Sequence, residues 1–522
     1  MSPAADANLL LDPAAGGDRP DRRLLVLAPL RIEARAVRRG LGPGARVVPT
    51  GMGPRHSLSA TAGHLPGAAV VVSGFCGALD DTLVPGELIV ATEVRGPTGV
   101  IPCPAAGVLA GALRRRRLRV RVGPIASAQR LVRGQRREEL RATGALAVDM
   151  ESAWLAGAAA GRPLAVVRAV VDTPAQELTR PLAMVNGAGR AYWALRQAAA
   201  VLSEWAVAVR SRTVLLAGPR ASCAGVERAI EVVDLALERF GPPVYVRRQI
   251  VHNSHVVAEL ESRGAVFVEE VDEVPRGATV VFSAHGVAPA VREASAQRGL
   301  NVIDATCPLV SKVHAEARRF AAAGHTIVLV GHEGHDEIEG TVGEAPDRIR
   351  IVRSPEEVAG VEVEDPERVA YLTQTTLAVD DTQAVVDALH QRFPALAGPP
   401  SSDICYATQN RQDAVRLLAG ECDLVLVVGS ENSSNSRRLV EVAERHGAEA
   451  RLIEDESAIA LEWLARAGTI GLTAGASAPE SVVQRVLAAL RGLGPAEVIE
   501  RRVTSETLQF KLPPELRRDA GG

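Results

Sequence analysis

Cys307 stands where a strand is predicted to end and a helix to begin. An extended run at residues 300–303 precedes it, and Pro308 follows it in the first turn of a predicted helix, where a missing N–H is tolerated. The free N–H groups and the dipole of a helix start favour a thiolate over a thiol. Taken alone, Cys307 is equally well explained as a buried cysteine that behaves as a small apolar residue.

Two further cysteines share this setting. Cys223 follows an apolar run and precedes a predicted helix at 227–240, and Cys405 precedes a predicted helix at 409–418. The three cysteines are 84 and 98 residues apart, about one α/β unit each. Three such units, each presenting a cysteine at a strand end, predict a pseudo-threefold site. Three thiolates that converge on one point form a metal or iron–sulfur site with one position left open.

Histidines and small polar residues follow the other predicted strands of this half. Three of the histidines lie beside turns, namely His252, His285 and His335. Three clusters of small polar residues, each directly after an apolar run, lie at 374–376, 430–436 and 473–477. The ends of parallel strands line the crevice in which open α/β sheets bind ligands. These neutral donors therefore predict a site for a compact polyanion such as diphosphate, although each cluster alone also fits a capping turn.

Two alternative metal sites are disfavoured by spacing and context. His332 and His335 are three residues apart among glycines, which does not match the helical arrangement of a zinc protease. A structural zinc held by the three cysteines needs a fourth ligand, and Cys422 is predicted to lie inside an apolar strand.

The first half of the chain carries weaker signals. Residues 73–79 read as a glycine-rich turn after a strand, able to bring backbone N–H groups close to an anion, although a plain structural turn explains them as well. Glu151 precedes a predicted helix, and Asp172 ends a predicted strand, where it could protonate a leaving group. Taken singly, each acid is explained at least as well by a solvated or helix-capping role.

The elements that position these residues alternate between strand and helix throughout. Apolar runs at 24–27, 69–73, 87–91 and 164–168 predict buried strands of a three-layer α/β domain. We predict a disordered tail at 1–21, this first domain at 22–210, a second domain of three α/β units at 211–513, and a tail at 514–522. The length of 522 residues leaves each domain enough residues for its own core.

Composition narrows the partners and the compartment. The net charge of −3 implies neither nucleic acid nor an anionic membrane as a general partner, and the arginines at 114–121 read as a solvated face. The apolar runs are too short to span a bilayer, and no secretory signal is recognisable. Six cysteines in such a chain argue against a disulfide framework and predict a cytoplasmic, reducing location.

The motifs of the second half resemble the 4-hydroxy-3-methylbut-2-enyl diphosphate reductase family. The resemblance runs through residues 214–479 in the motifs Cys-Ala-Gly-Val from 223, Val-His-Asn from 251, Ser-Ala-His-Gly from 283, Asp-Ala-Thr-Cys-Pro from 304, Gly-His-Asp-Glu from 334, Thr-Gln-Thr-Thr from 373, Asp-Ile-Cys-Tyr-Ala-Thr from 403, Asn-Ser-Ser-Asn-Ser from 432 and Ala-Gly-Ala-Ser-Ala-Pro from 474. In one departure, Ala221-Ser222 stands where the family usually has glycine and an aromatic residue.

The resemblance implies a role for each matching residue. Cys223, Cys307 and Cys405 would hold one 4Fe–4S cluster per chain, whose open iron accepts the substrate oxygen. The catalytic residues would be Glu337, Thr375 and His335, with Glu337 as the proton source and Thr375 beside the substrate hydroxyl. The diphosphate of the allylic substrate would be bound by His252, His285, His335, Ser433, Ser434, Asn435 and Ser477. Electrons would come from ferredoxin or flavodoxin, since nothing in the chain reads as a NAD or flavin site.

Residues 22–208 resemble the superfamily of purine nucleoside phosphorylases and methylthioadenosine/adenosylhomocysteine nucleosidases. The resemblance implies that Glu151 binds ribose hydroxyls, that Asp172 acts at the purine N7 and that Glu33 positions water. The chain departs from the family pattern at four positions, Cys76, Glu87, Asp149 and Val171. The nucleoside is left open, with a purine nucleoside and a nucleoside-linked lipid intermediate both consistent.

Two functions of different classes follow. The first is an active reductase fused to a nucleoside phosphorylase-like domain. The second is a nucleosidase or phosphorylase whose second half is a structural or regulatory module. The complete set of cysteines, Glu337 and diphosphate-binding residues favours the first.

Overall fold

The computed structural model describes residues 24–42, 44–63, 65, 67–175 and 181–517. The predicted tail at 1–21 lies outside these residues. The chain forms two compact units, and the first ends at Ser211 but also contains Ser457–Arg466 and Ala488–Pro495. The remaining segments, beginning at Arg212, form the second unit. Across the part of the chain that is described, no helix has the length and apolar character needed to cross a bilayer.

The first unit contains one mixed sheet and six helices among the residues described before Ser211. The strands are β1 (Leu24–Ala28), β2 (Ala45–Pro49), β3 (Ala69–Ala78), β4 (Leu88–Gly96), β5 (Gly99–Pro102), β6 (Val120–Ser127), β7 (Ala147–Asp149) and β8 (Leu164–Asp172). The helices are α1 (Arg31–Arg38), α2 (Pro54–Thr61), α3 (Ala106–Arg115), α4 (Gln135–Ala142), α5 (Ser152–Ala156) and α6 (Pro181–Ala208).

The sheet of this unit closes on itself. Strand β8 pairs in parallel with β3 and antiparallel with β4, and β3, β7, β6 and β4 complete the ring. The apolar runs become its core, since all five residues of β1 and the first six of β3 are buried. The α/β prediction is confirmed, and the closure brings the ends of β3, β7 and β8 together.

The predicted glycine-rich turn at 73–79 is wrong, because β3 continues to Ala78 along β8. Its glycines make room for charged side chains. A Cβ added to Gly74 would lie 2.4 Å from Arg168 Nη1, and one added to Gly77 would lie 2.8 Å from Asp172 Oδ1 and 2.9 Å from Arg137 Nη2. The missing side chains thus admit ionic groups beside the strand, whose pairing with β8 shifts register between Cys76 and Gly77.

The second unit begins with β9 (Arg212–Gly218). The later strands are β10 (Val244–Arg247), β11 (Ala265–Val268), β12 (Thr279–Phe282), β13 (Asn301–Asp304), β14 (Thr326–Val330), β15 (Ile349–Val352), β16 (Val369–Thr373), β17 (Leu424–Val428), β18 (Glu449–Ile453), β19 (Thr469–Ala474) and β20 (Ala496–Arg502). The helices are α7 (Ala224–Phe240), α8 (Ser254–Ser262), α9 (Pro289–Gln297), α10 (Pro308–Ala322), α11 (Asp336–Val342), α12 (Pro355–Val358), α13 (Val379–Arg392), α14 (Tyr406–Ala419), α15 (Ser434–Arg445), α16 (Leu461–Arg466, counted with the first unit) and α17 (Glu480–Gly492).

These strands form three parallel sheets, as the prediction of three α/β units requires. The sheet orders are β11-β10-β12-β13, β15-β14-β16 and β18-β17-β19-β9-β20. The buried, apolar strands β14 and β17 are typical of parallel sheets covered on both faces. The five-stranded sheet is discontinuous in sequence, because β9 at the start of the second half pairs with β19 and β20 near its end.

The end of the described chain packs onto the four-stranded sheet. Within the segment predicted as a tail from residue 514, Pro514–Leu516 forms a short 3-10 turn. Leu516 is buried in the core that contains Val244, Val281 and Ile303, and Leu512 packs against the same core. Residues 518–522 lie outside the described part of the chain.

Candidate active site

The three cysteines cap three helices of the second unit. Cys223 is the N-cap of α7, Cys307 of α10 and Cys405 of α14. Each of these helices lies where the chain passes from one sheet toward the next, from the five-stranded to the four-stranded, then to the three-stranded and back to the five-stranded. The expectation of a strand end before every cysteine is wrong for Cys405, because α13 and a loop separate it from β16.

The three thiols converge on one cavity of about 110 Å³, which all three cysteines line. Gly225, the second residue of α7, leaves space for the sulfurs. A Cβ added to Gly225 would lie 2.8 Å from Cys307 Sγ and 3.8 Å from Cys223 Sγ. Three soft donors around a backbone without a side chain form a cradle that fits an iron–sulfur cluster held by three protein ligands.

The N–H groups at the start of α10 lower the pKa of Cys307, as expected, but burial has the larger effect and raises this pKa to about 12. Burial likewise raises the pKa of Cys405 to about 11, against the hydrogen bonds from Thr408. A bound metal supplies the positive charge that keeps such thiols ionised.

Cys422 does not line this cavity. It lies in the turn before β17, not within a strand as predicted, and it packs with the apolar core around Leu418 and Val425. A fourth cysteine ligand for a structural zinc is thus not provided by this residue.

Ala221, just before the first cysteine, has a φ of 59°. This left-handed conformation favours glycine, so alanine is strained there. The position is the one at which the sequence departs from the family's glycine. Its carbonyl oxygen accepts a hydrogen bond of 3.0 Å from Arg411 Nε, which holds the strained turn in place.

The three predicted histidines meet beside the cysteines and line the same cavity. The rings of His252 and His285 stack with centroids 4.1 Å apart, and the ring of His335 stands edge-on to both, at 5.4 and 5.8 Å. Burial lowers the pKa of each histidine, to about 4 for His335. They are therefore neutral donors near pH 7 when no anion is bound.

The predicted hydroxyl and amide residues complete one side of this cavity. Ser433 Oγ lies 3.3 Å from Ser477 Oγ, and Thr376 Oγ1 donates to Ser434 Oγ at 3.1 Å. Both polar side-chain atoms of Asn435 are buried and have no hydrogen-bond partner among the described residues. Buried polar atoms without partners are costly, so an amide in this state is explained by a polar ligand that it contacts.

Glu337 is 2% exposed and faces the cavity. The Thr375 N–H donates to its Oε1 at 2.7 Å, and Thr375 Oγ1 donates to Oε2 at 3.0 Å. Burial raises the pKa of Glu337 to about 7, against the lowering effect of these bonds, and Asp403 raises it further. Near neutral pH this carboxyl group can therefore hold a proton and release it.

Two residues beside the cavity were not singled out from the sequence. Asp336 Oδ2 lies 4.0 Å from His252 Nε2 and 3.8 Å from His285 Nδ1. Arg248, at the end of β10, binds the other oxygen of Asp336. Asp336 stands between two predicted site residues in the sequence, which is a usable signal, whereas Arg248 is brought in only by the fold.

The first unit contains a second cavity, of about 370 Å³, lined by Glu33, Glu151 and Asp172. The structure thus brings together all three residues predicted for this half. Glu33 accepts from the N–H groups of Leu30 at 2.6 Å and Phe75 at 2.7 Å, and burial raises its pKa to about 7. Glu151 accepts from the N–H of Gly53 at 3.0 Å, and burial raises its pKa as well.

Two arginines hold the acids of this cavity, and neither was named from the sequence as a site residue. Arg168 is fully buried, with Nε 2.9 Å from Asp149 and Nη2 3.8 Å from Glu151. Arg137 of α4 forms a buried ion pair with Asp172. Arg168 lies four residues before Asp172 on one strand, but Arg137 comes from a distant helix that no local pattern connects to it.

Comparisons with known proteins match the two halves of the chain to two different families. The family model described as LytB protein matches residues 214–491, and the Phosphorylase superfamily matches residues 41–205. A 4-hydroxy-3-methylbut-2-enyl diphosphate reductase of Leifsonia xyli subsp. xyli is 60% identical over 312 residues, which cover 60% of this chain and 93% of the relative.

Two other matches agree. A 4-hydroxy-3-methylbut-2-enyl diphosphate reductase 2 of Mycobacterium bovis is 59% identical over 309 residues, covering 58% of this chain and 94% of the relative. The solved structure of the E-1-hydroxy-2-methyl-but-2-enyl-4-diphosphate reductase from Plasmodium falciparum matches with a TM-score of 0.57 and 37% identity, over 59% of this chain and 97% of that one.

Proposed function

Because the chain belongs to the LytB protein family, we infer that it carries out the reaction for which its relatives are named. It converts (E)-4-hydroxy-3-methylbut-2-enyl diphosphate to isopentenyl diphosphate and dimethylallyl diphosphate. The allylic C–O bond breaks, two electrons and two protons are taken up, and water leaves. This is the last step of the methylerythritol phosphate route to isoprenoids. We assign the reaction to residues 211–513 and the nucleosidase-like unit to residues 22–210.

The observation that carries this assignment is the convergence of three thiols and Glu337 in one cavity. Cys223, Cys307 and Cys405 would hold one 4Fe–4S cluster per chain. When bound, such a cluster supplies electrons and a Lewis-acidic iron without a protein ligand. An external donor such as ferredoxin or flavodoxin recharges it. The free cysteines suit the reducing cytoplasm in which we place the enzyme.

Glu337 gives the proton to the departing hydroxyl. Its buried carboxyl holds a proton near neutral pH, and the N–H and hydroxyl of Thr375 fix its orientation. Thr375 lines the same cavity and would lie beside the substrate hydroxyl. A proton held at a fixed carboxyl group lets water leave without drawing on bulk solvent.

The diphosphate binds on the side formed by His252, His285, His335, Ser433, Ser434, Asn435 and Ser477. These residues provide neutral donors, and Asn435 is left without a partner until a ligand arrives. Anchoring the diphosphate brings the hydroxyl end to the cysteines and Glu337 without a search in orientation.

Substitution of Asn435 by alanine should raise the KM for the allylic diphosphate about 10–100-fold, with a smaller change in kcat. This is the range expected for the loss of one hydrogen bond to a charged group, about 1.5–3 kcal/mol. Steady-state kinetics with reduced viologen measure it. Asn301→Ala serves as the matched control, because Asn301 is exposed, binds Thr279 and does not line the cavity. Equal effects from both substitutions would remove Asn435 from the diphosphate site.

The test of the reductase is anaerobic purification followed by iron analysis, a spectrum and turnover. A brown protein that forms the two five-carbon diphosphates supports the assignment. A colourless protein that stays inactive after cluster reconstitution contradicts it.

A second function is favoured by the cavity of the first unit, and we propose that this unit hydrolyses the N-glycosidic bond of a nucleoside. Glu151 binds the ribose hydroxyls, Asp172 acts at the base, and Glu33 accepts a proton from water. Asp172 is already paired with Arg137, and Asp149 with Arg168. Glu33 is held in this cavity by the N–H groups of Leu30 and Phe75, and its pKa of about 7 suits a base that activates water. These contacts favour water over phosphate as the attacking group.

Asp172→Asn should slow release of the base about 10²–10⁴-fold, the usual contribution of a general acid. Release of adenine from adenosine and from 5′-methylthioadenosine, with and without inorganic phosphate, is the measurement. In the unsubstituted protein the rate should rise with pH through about 7, because burial raises the pKa of Glu33 to about 7 and only its ionised form accepts a proton.

The exposed Asp81 provides the control, and Asp81→Asn should leave the rate unchanged. A rate that depends on added phosphate would identify a phosphorylase and contradict the choice of water. If neither nucleoside is hydrolysed, the substrate of this cavity belongs to a different class of nucleoside. The reductase assignment would stand unaffected.

A further inference from the structure

Asp336 places a carboxylate beside a pocket that has to bind an anion. Its Oδ2 lies within 4.0 Å of nitrogens on both stacked imidazoles, and its side chain is 15% exposed. An isolated carboxylate in this place would repel a diphosphate, because like charges repel each other strongly at short range outside bulk water. Its presence therefore needs a compensating function.

The carboxylate is fixed from the side opposite the histidines. Arg248 donates to Asp336 Oδ1 and, at 2.7 Å, to Glu339 Oε2. Arg248 has a φ of 54°, a conformation that is uncommon for a side chain of this size, and its own N–H donates to Val268 O at 2.7 Å. Backbone strain of this kind persists only where the surrounding structure holds it, so Arg248 is itself fixed and can fix the carboxylate of Asp336. Oδ2 is left to face the imidazoles.

His285 has unused hydrogen-bonding capacity on that side. Its Nδ1 is buried, lies 3.8 Å from Asp336 Oδ2 and has no hydrogen-bond partner among the described residues. His252 differs, because its Nδ1 lies 3.4 Å from Gln249 Oε1. A neutral imidazole donates through one nitrogen only, whereas an imidazolium donates through both, so a cationic His285 can bind the ligand with one N–H and direct the other toward Asp336.

We propose that Asp336 is a positioning residue that keeps His285 cationic once a diphosphate is bound, so that binding takes up a proton from solvent. The inference rests on the diphosphate site proposed above. Without ligand, burial favours the neutral ring. A bound anion and Asp336 both favour the charged form.

Other groups near His285 act against this. They are His252, whose ring stacks on it at 4.1 Å, His335 and Arg248. Arg248 is itself neutralised by Asp336, Glu339 and Glu270. The favourable partners of a cationic His285 are thus Asp336 and the ligand. Since the bound ring holds its proton more tightly than the free one, affinity should be highest at low pH and fall as pH rises.

The experiment is calorimetry of isopentenyl diphosphate binding to the anaerobic holoenzyme at pH 7.5, in two buffers with different ionisation enthalpies. A phosphate ester loses its last proton at about pH 6, so protons taken up at pH 7.5 belong mainly to the protein. We expect an uptake of about one proton per chain. Asp336→Asn should at least halve the uptake, and its KM for the allylic diphosphate should rise about tenfold less between pH 6 and pH 8 than that of the unsubstituted enzyme, because the slope of log affinity against pH equals the number of protons taken up.

Glu339→Gln is the matched control, because it removes a carboxylate from the same guanidinium without facing an imidazole, and its proton uptake should be unchanged. Equal uptake in Asp336→Asn and the unsubstituted enzyme overturns the inference, as does an equal loss in Glu339→Gln. Should Asp336→Asn fail to fold, binding without proton uptake by the unsubstituted holoenzyme still overturns it. Absence of both binding and turnover would instead overturn the proposed function.

Discussion

Replacing Cys307 by serine is expected to abolish reductase activity and to lower iron content sharply. A hydroxyl group is a hard, weakly acidic donor and does not replace a thiolate toward iron–sulfur clusters. Cys307 lines the cavity beside Cys223, since a side chain on Gly225 would contact the sulfurs of both. Iron analysis, the visible spectrum and turnover with dithionite and viologen are the measurements, all made without oxygen.

The matched control is Cys422→Ser. This thiol is also free and partly buried, but it packs into an apolar core and does not line the cavity. Iron content and turnover should stay close to those of the unsubstituted enzyme. If Cys307→Ser retained both colour and activity, the three-cysteine site would be disproved.

Replacing Glu337 by glutamine is expected to lower kcat about 10²–10⁴-fold, with iron content and spectrum unchanged. Glutamine keeps the shape of the side chain and can still accept from Thr375, but it has no acidic proton to give. In the unsubstituted enzyme, kcat should fall as pH rises above about 7, because burial raises the pKa of Glu337 to about 7 and only the protonated form is an acid. This decline should be absent from the residual activity of the variant.

Glu344→Gln provides a comparison within the same part of the chain, because Glu344 is a buried carboxylate that binds His314 and Arg318 rather than the cavity. It should leave the pH dependence of kcat in place. An unchanged kcat in Glu337→Gln would show that the proton comes from another group.

The residues of the reductase site could be predicted because their types and positions repeat. Cysteines before helices and polar clusters after apolar runs are local patterns, and parallel strands bring their ends to one place. The helix start at Tyr406 was missed by three residues, since Cys405 is itself the cap. The discontinuous third sheet was missed as well, because the pairing of β9 with β19 joins strands about 250 residues apart.

Charged partners from distant elements could not be predicted. Arg137 reaches Asp172 from another helix, and Arg248 reaches Asp336 from another sheet, so neither pair leaves a local pattern. Glycine misled the interpretation of residues 73–79 for a related reason. A missing side chain usually indicates a turn, but at Gly74 and Gly77 it makes room for arginine and aspartate that arrive later in the chain.

The placement of the cysteines at the passages between the three sheets has a mechanical consequence. A cofactor held by all three is a cross-link that closes two chain loops, of 84 and 98 residues. Closing long loops restricts the unfolded chain, and binding energy gained only in the folded state adds to its stability. If the three cysteines hold a cluster, its loss to oxygen would therefore lower the free energy of unfolding of all three sheets together.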